Sequence, residues 1–129
     1  MPRAQKTSDT QSLAPRSVML GGTFTIGASG AVDSQDDSVL TGGVVTQTGS
    51  EDGRYHVAFT IKAERCLGAF AQMQGPDDDA FPTTTGSDPQ TRNRAADGFD
   101  IQFKRVDTQA DADPASGTEC SWFARVALM

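Results

Sequence analysis

The chain has 129 residues, 36% of them apolar and 22% charged, with 11 Lys plus Arg against 17 Asp plus Glu and a net charge of −6. Its length sets one domain. Its acidity argues against a protein that coats nucleic acid, which needs a basic face, and no run of about 20 apolar residues is present to span a membrane. Two Cys and one His cannot build a four-ligand Cys/His zinc site.

Residues 1–16 lack periodicity, and Pro2 and Pro15 oppose regular structure. Arg3, Lys6 and Arg16 stand against the single acid Asp9, so this segment carries +2 and the remaining residues −8 of the total −6. It reads as a flexible N-terminal arm that can meet an acidic partner, or as a solvated tail. The first thirty residues contain no continuous apolar stretch of the secretory kind. Cys66 and Cys120 are therefore expected in a reducing compartment as buried, free thiols, with a disulfide between neighbouring strands as the alternative.

The domain proper is expected over residues 17–129. From Ser17 to Ile26, Val18, Leu20, Phe24 and Ile26 alternate with Met19, Thr23 and Thr25, a strand pattern. Residues 28–38 read as a polar loop with Asp33, Asp36 and Asp37. Residues 39–48 are β-branched but interrupted by Gly42-Gly43, which predicts a bulge or two short strands. After the turn cluster of residues 49–53, Tyr55, Val57, Phe59 and Ile61 alternate with polar residues, so 39–48 and 54–62 predict a hairpin.

Residues 66–74 predict a shorter strand in which Phe70 has the opposite parity to Leu67, Ala69, Ala71 and Met73. Residues 75–98 then read as one long polar loop with Pro76, Pro82 and Pro89, and Phe81 as its sole large apolar anchor. Phe99, Ile101 and Phe103 mark a half-buried strand. Residues 118–128 form a last strand with Cys120, Trp122, Ala124, Val126 and Leu128 inward and Phe123 outward. No apolar period of 3.6 is sustained. The fold class is all-β: an antiparallel β-sandwich or small barrel of six to seven strands. Outward aromatics, with a long loop and an arm, point to a part of a larger assembly. Arg3, Lys6, Arg16, Phe70, Phe81 and Phe123 are the interface candidates.

Chemistry is sparse. Asp77, Asp78 and Asp79 read as a solvated loop rather than a Ca²⁺ site, because the EF-hand spacing is missing, and Asp111 with Asp113 makes a weaker case of the same kind. His56, the single histidine, lies on the polar parity of its strand, and no G-x-S-x-G elbow accompanies it. Glu51, Glu64 and Glu119 have no motif that pairs them as glycosidase carboxylates. Trp122 and Tyr55 both fall on inward parity and read as core rather than as a sugar platform. Gly42-Gly43 is not followed by the Lys and helix of a phosphate loop. No catalytic, metal or cofactor residue is assigned.

The segments VMLGGTFTIGASGAV, GSEDGRYHVAFTI and ADPASGTECSWFARVAL resemble small all-β virion proteins of tailed bacteriophages. Gly53, Tyr55, Val57 and Phe59 match the later positions of a G-x-G-x-Y-x-V-x-(F/L) segment that follows a short turn, with Glu51 standing at its first Gly. Asp113, Pro114, Gly117 and Thr118 match an A-D-P-x-(S/A)-G-T loop before the last strand. The resemblance covers residues 18–28, 49–62 and 112–128. It implies a head decoration (cement) protein on the capsid exterior, made in the host cytoplasm. Its partners would be the major capsid protein and sister copies in a homotrimer, with no nucleic acid and no membrane. It implies no catalytic residue and no cofactor. A tail or fibre component, or a glycan-binding module, is the alternative.

Overall fold

The computed structural model describes residues 16–49, 52–74, 87–106 and 108–128. Eight antiparallel strands form two four-stranded sheets. They are β1 (Ser17–Ile26), β2 (Val32–Gln35), β3 (Gly43–Gln47), β4 (Arg54–Phe59), β5 (Ala63–Gln74), β6 (Ser87–Ala95), β7 (Gly98–Arg105) and β8 (Glu119–Leu128), with a one-turn helix α1 (Ser38–Thr41) between β2 and β3. Sheet A has the order β2-β1-β8-β5 and sheet B the order β3-β4-β7-β6. The chain is the all-β sandwich that its period-two alternation predicts.

The core lies between the sheets. Phe24, Ile26, Cys120, Trp122 and Ala124 come from sheet A; Val45, Tyr55, Val57, Phe99, Ile101 and Phe103 come from sheet B. Their rings touch in two groups. Phe24 meets Tyr55 at 5.3 Å, Tyr55 meets Phe103 edge-on at 5.6 Å, and Phe99 meets Trp122 at 6.0 Å between centroids. Burial of such rings supplies most of the free energy available to a chain with so few apolar residues. Phe59, by contrast, is only partly buried and packs on the rim of this cluster against Phe99, 6.0 Å away. Ile61 and Leu128, of inward parity, are also only half-buried.

Four expectations are corrected. Residues 28–38 contain β2, and residues 87–95 of the expected long loop are β6, which brings the strand count among the described residues to eight. Both are sheet edges with few apolar side chains, so neither carries the alternation that marks a half-buried strand. Pro89 is tolerated because β6 is an edge. Residues 75–86 of that loop lie outside the described residues. Residues 38–41 are helical rather than extended. Asp37 caps α1 by accepting from the Val39 amide at 2.9 Å, and Gly42 terminates it at φ +80°. β4 ends at Phe59, and β5 begins at Ala63, with register shifts at 63–65 and 66–68.

Side chains close the two open sides of the sandwich. The Gln35 amide donates to the Val45 carbonyl at 3.0 Å and accepts from the Val45 amide at 2.8 Å, standing in for a strand beside β3. On the other side Thr91 Oγ1 and Arg94 Nη1 of β6 donate to the carbonyls of Ala69 and Leu67 on β5, at 3.1 and 2.8 Å. The Val45 amide and carbonyl and the Leu67 and Ala69 carbonyls, which these edges would otherwise expose, are thereby occupied.

The cysteines are free, Cys120 buried and Cys66 half-buried. Cys66 stands opposite Val126 on β8, six residues along that strand from Cys120. That spacing is about 20 Å, too far for a disulfide.

Candidate functional site

The outer face of sheet A carries an apolar patch built around Met19, Phe70 and Phe123. Residues alternate across the sheet, so Phe24 and Ile26 point into the core while Met19, Gly21 and Thr23 point out. The register sets Gly21 beside Phe123 and Phe123 beside Phe70. The two phenyl rings stack at 4.8 Å with their planes 19° apart. Phe70 is 50% exposed and Met19, one row along, 61% exposed.

Gly21 makes room for this pair: a Cβ there would lie 3.1 Å from Cδ1 of Phe123. Arg125 and Arg65 stand at one end of the patch, in rows beside Met19 and Ala127, and Glu119 stands at the other. Arg125 donates through Nε and Nη2 to Ser17 Oγ at 3.3 and 3.2 Å.

Phe70 and Phe123, two of the six sequence-level interface candidates, are thus brought together. Arg16 is exposed at the start of β1, where its carbonyl accepts from the Leu128 amide at 2.6 Å. Arg3, Lys6 and Phe81 lie outside the described residues, as does the acidic run Asp77–Asp79.

The three segments that carried the virion-protein resemblance meet at one end of the sandwich. Gly53 sits at φ +71° and donates its amide to Asp113 Oδ1 at 2.6 Å, while its carbonyl accepts from the Phe103 amide at 2.8 Å. Tyr55 OH donates to the Gly30 carbonyl at 2.6 Å. Gly30, at φ +76°, leaves space for the Asp113 carboxylate, which a Cβ would approach to 2.6 Å. Gly117 and Ile26 then exchange with Thr118 through Gly117 N to Ile26 O at 2.6 Å and Ile26 N to Thr118 O at 2.8 Å. Gly53, Tyr55, Asp113, Gly117 and Thr118 thus form a loop clamp held by hydrogen bonds. Burial, then the Asp113 charge, then Cys120, push the Tyr55 phenol well above its usual range.

His56 lies on the outer face of sheet B with its side chain 42% exposed. It is not solitary: Nδ1 is 2.7 Å from Asp100 Oδ1, and Asn93 donates to Asp100 Oδ2 at 2.8 Å. Burial alone would raise Asp100, but the hydrogen bonds from Asn93 and His56 and the charges of His56 and Arg54 outweigh it and hold the carboxyl below its usual value. The Cε1–Nε2 edge of the ring lies over Gly98, where a Cβ would come within 3.2 Å of both atoms. This geometry orients the ring; among the described residues no hydroxyl or thiol is bonded to it.

Asp111 and Asp113, weighed as a cation site, are each taken: Asp111 pairs with Lys104 at 2.7 Å and Asp113 holds Gly53. Among the described residues, no cluster of three or more His, Cys, Asp or Glu could hold a metal. Trp122 and Tyr55 are 2% and 0% exposed and offer no stacking platform. Burial pushes the Cys120 thiol up to about 12, which keeps it protonated and unreactive.

Two features had escaped the sequence reading. The His56–Asp100–Asn93 network joins three strands, and no sequence spacing announces it. The exposed pair Val39 and Leu40, at 87% and 85%, sits on α1; the Asp37 and Gly42 caps that flank it were the signal available.

No family model matches the chain, and neither the curated proteins nor the solved structures yield a match.

Proposed function

We propose that this chain is a structural subunit of a virus particle, a head decoration protein of a tailed bacteriophage that bridges capsid subunits from the outside. The observation that carries the reading is the stacked Phe70–Phe123 pair on the outer face of sheet A, with Phe70 exposed and Phe123 half-buried. A chain with 36% apolar residues spends two of its seven Phe on that surface rather than in its core, which fits a buried contact in an assembly. The acidic balance suits the outside of a head, where contact with packaged DNA is not wanted. The partners on this reading are the major capsid protein and sister copies, in a trimer on a lattice axis. No residue is assigned a catalytic role, because His56 and Asp100 serve each other and Asn93.

The clamp at Gly53, Tyr55 and Asp113 gives these motif residues a structural role within the sandwich. A glycan-binding reading is less favoured, since the chain's single Trp and single Tyr are both buried. The test is to mix the purified protein with undecorated heads and with isolated tails, pellet the particles, and count bound copies. Saturable binding to heads at a fixed ratio to capsid subunits is the expected result. Binding to tails alone would move the protein to the tail, and binding to neither would overturn the reading.

A further inference from the structure

A second exposed apolar feature stands on the opposite edge of the sandwich from Phe70. Val39 and Leu40 on α1 are 87% and 85% exposed, the two most exposed large apolar residues described. They are rigidly mounted. Asp37 accepts from the Val39 amide, and the Gly42 amide donates to the Ser38 carbonyl at 2.9 Å. Thr41, 5% exposed, plugs inward: its Oγ1 donates to the Gly43 carbonyl at 3.0 Å, and a Cβ on Gly22 would come within 2.7 Å of its Cγ2. Just before the helix, Asp36 exchanges two bonds with the Thr23 backbone, at 3.0 and 3.1 Å. A turn held at four points has lost its flexibility in advance, so seating it against a partner costs little further ordering.

The two apolar features carry opposite charge around them. Asp36 and Asp37 immediately precede α1, and residues 34–42 contain no Lys, Arg or His. The Phe70–Phe123 patch has Arg65 and Arg125 at one end. Because α1 joins edge strands β2 and β3 while Phe70 lies on β5 at the other edge of sheet A, knob and patch cannot meet within one copy. Between copies they can.

The geometry points to a head-to-tail contact between two copies of this chain, in which the Val39–Leu40 knob of one seats on the Met19–Phe123–Phe70 patch of the next. The aspartates around the knob then face Arg65 and Arg125, and Glu119 at the far end of the patch repels them, which sets the direction of docking. Such a contact uses different surfaces on the two partners, so it repeats from copy to copy, closing into a ring where the rotation allows and growing as a filament where it does not. It specifies how copies meet in the trimer proposed above, and rests on that reading only for the ring's size.

The test uses the full chain without capsid. Val39→Ser/Leu40→Ser removes the knob and Phe70→Ser the patch, each at exposed positions; far-ultraviolet circular dichroism checks that both keep the wild-type fold. Sedimentation at about 100 μM, a concentration set for contacts of micromolar affinity, is expected to show an oligomer for the wild type and a monomer for each variant. An equimolar mixture of the two variants is expected to form a 1:1 complex and grow no further, since one intact knob and one intact patch remain. Its affinity should fall several-fold from low to moderate salt. Three results would overturn the inference: a monomeric wild type, an oligomer of either variant alone, or no complex in the mixture. Should Phe70→Ser misfold, Arg65→Glu replaces it and is expected to weaken wild-type association at low salt; unchanged association would count against the contact. Since no capsid is present, failure here is distinct from failure to bind heads.

Discussion

Gly53→Ala is the most demanding test of the loop clamp. The residue adopts φ +71°, a conformation that costs an L side chain about 1–2 kcal/mol. Its new Cβ would also run into the Ala112 carbonyl oxygen and lie 2.8 and 2.9 Å from Ala112 C and Phe103 O. All three are backbone atoms, so no side chain can rotate away. Relief requires the 110–114 segment to move, which lengthens the Gly53 N to Asp113 Oδ1 bond of 2.6 Å and the Phe103 N to Gly53 O bond of 2.8 Å. A hydrogen bond to a charged group is worth about 1.5–3 kcal/mol and a neutral one about 0.5–1.5. Partial loss of both, added to the dihedral cost, gives about 3–5 kcal/mol against a domain stability of about 5–15 kcal/mol. Urea denaturation followed by Trp122 fluorescence measures it through the midpoint. Gly49→Ala is the matched control: its Cβ meets nothing within 4 Å, so its effect should stay within about 1 kcal/mol. A loss below about 1 kcal/mol for Gly53→Ala would refute the clamp.

Other expectations follow from the same contacts. Phe99→Ala, at a fully buried ring packed on Trp122 and Phe59, should cost about 3–5 kcal/mol, and rim residue Phe59→Ala clearly less; equal losses in denaturation would misplace the core's centre. Tyr55 is the single tyrosine and its folded pKa is raised above 10.0. Its contribution is therefore intact below pH 10 and lost as pH rises through the folded value. Tyrosinate absorbance should appear only together with unfolding, and a free titration near pH 10 in folded protein would contradict this. Asp100 is held below its ordinary value, so its contribution is present above about pH 4 and lost as pH falls through the lower folded value. Asp100→Asn should flatten the acid limb of the stability profile, and an unchanged limb would remove the pair from it. Deleting residues 1–15 should keep the sandwich folded and lower occupancy on heads at moderate salt; equal occupancy would exclude an anchoring arm.

Legibility in the sequence followed the division between half-buried and edge strands. β1, β4, β7 and β8 each bury one face, so Phe24–Ile26, Tyr55–Phe59, Phe99–Phe103 and Cys120–Val126 alternate visibly. β2 and β6 bury little; besides their backbone ladders with β1 and β7, they reach the facing sheet through side-chain amide, guanidinium and hydroxyl groups, interactions that leave no periodic trace. α1 was hidden because Val39 is β-branched and suits a strand, whereas the Asp37 and Gly42 caps decide for a turn of helix. For the candidate site, parity alone put Phe70 and Phe123 outside. Their stacking depends on the β5–β8 register, which two shifts near Cys66 set and no local pattern encodes. The charge rims of knob and patch are likewise properties of strand order, since Arg65, Arg125 and the aspartates are far apart in the chain.

The most direct measurement is a reconstruction of heads decorated with this protein by electron cryo-microscopy. The expected map has copies on the outer surface, clustered about a lattice axis. The Phe70–Phe123 face of each copy should be covered by a neighbouring chain. Copies bound with that face open to solvent, or density confined to the tail, would contradict the assignment of this surface as the contact on which the protein's role depends.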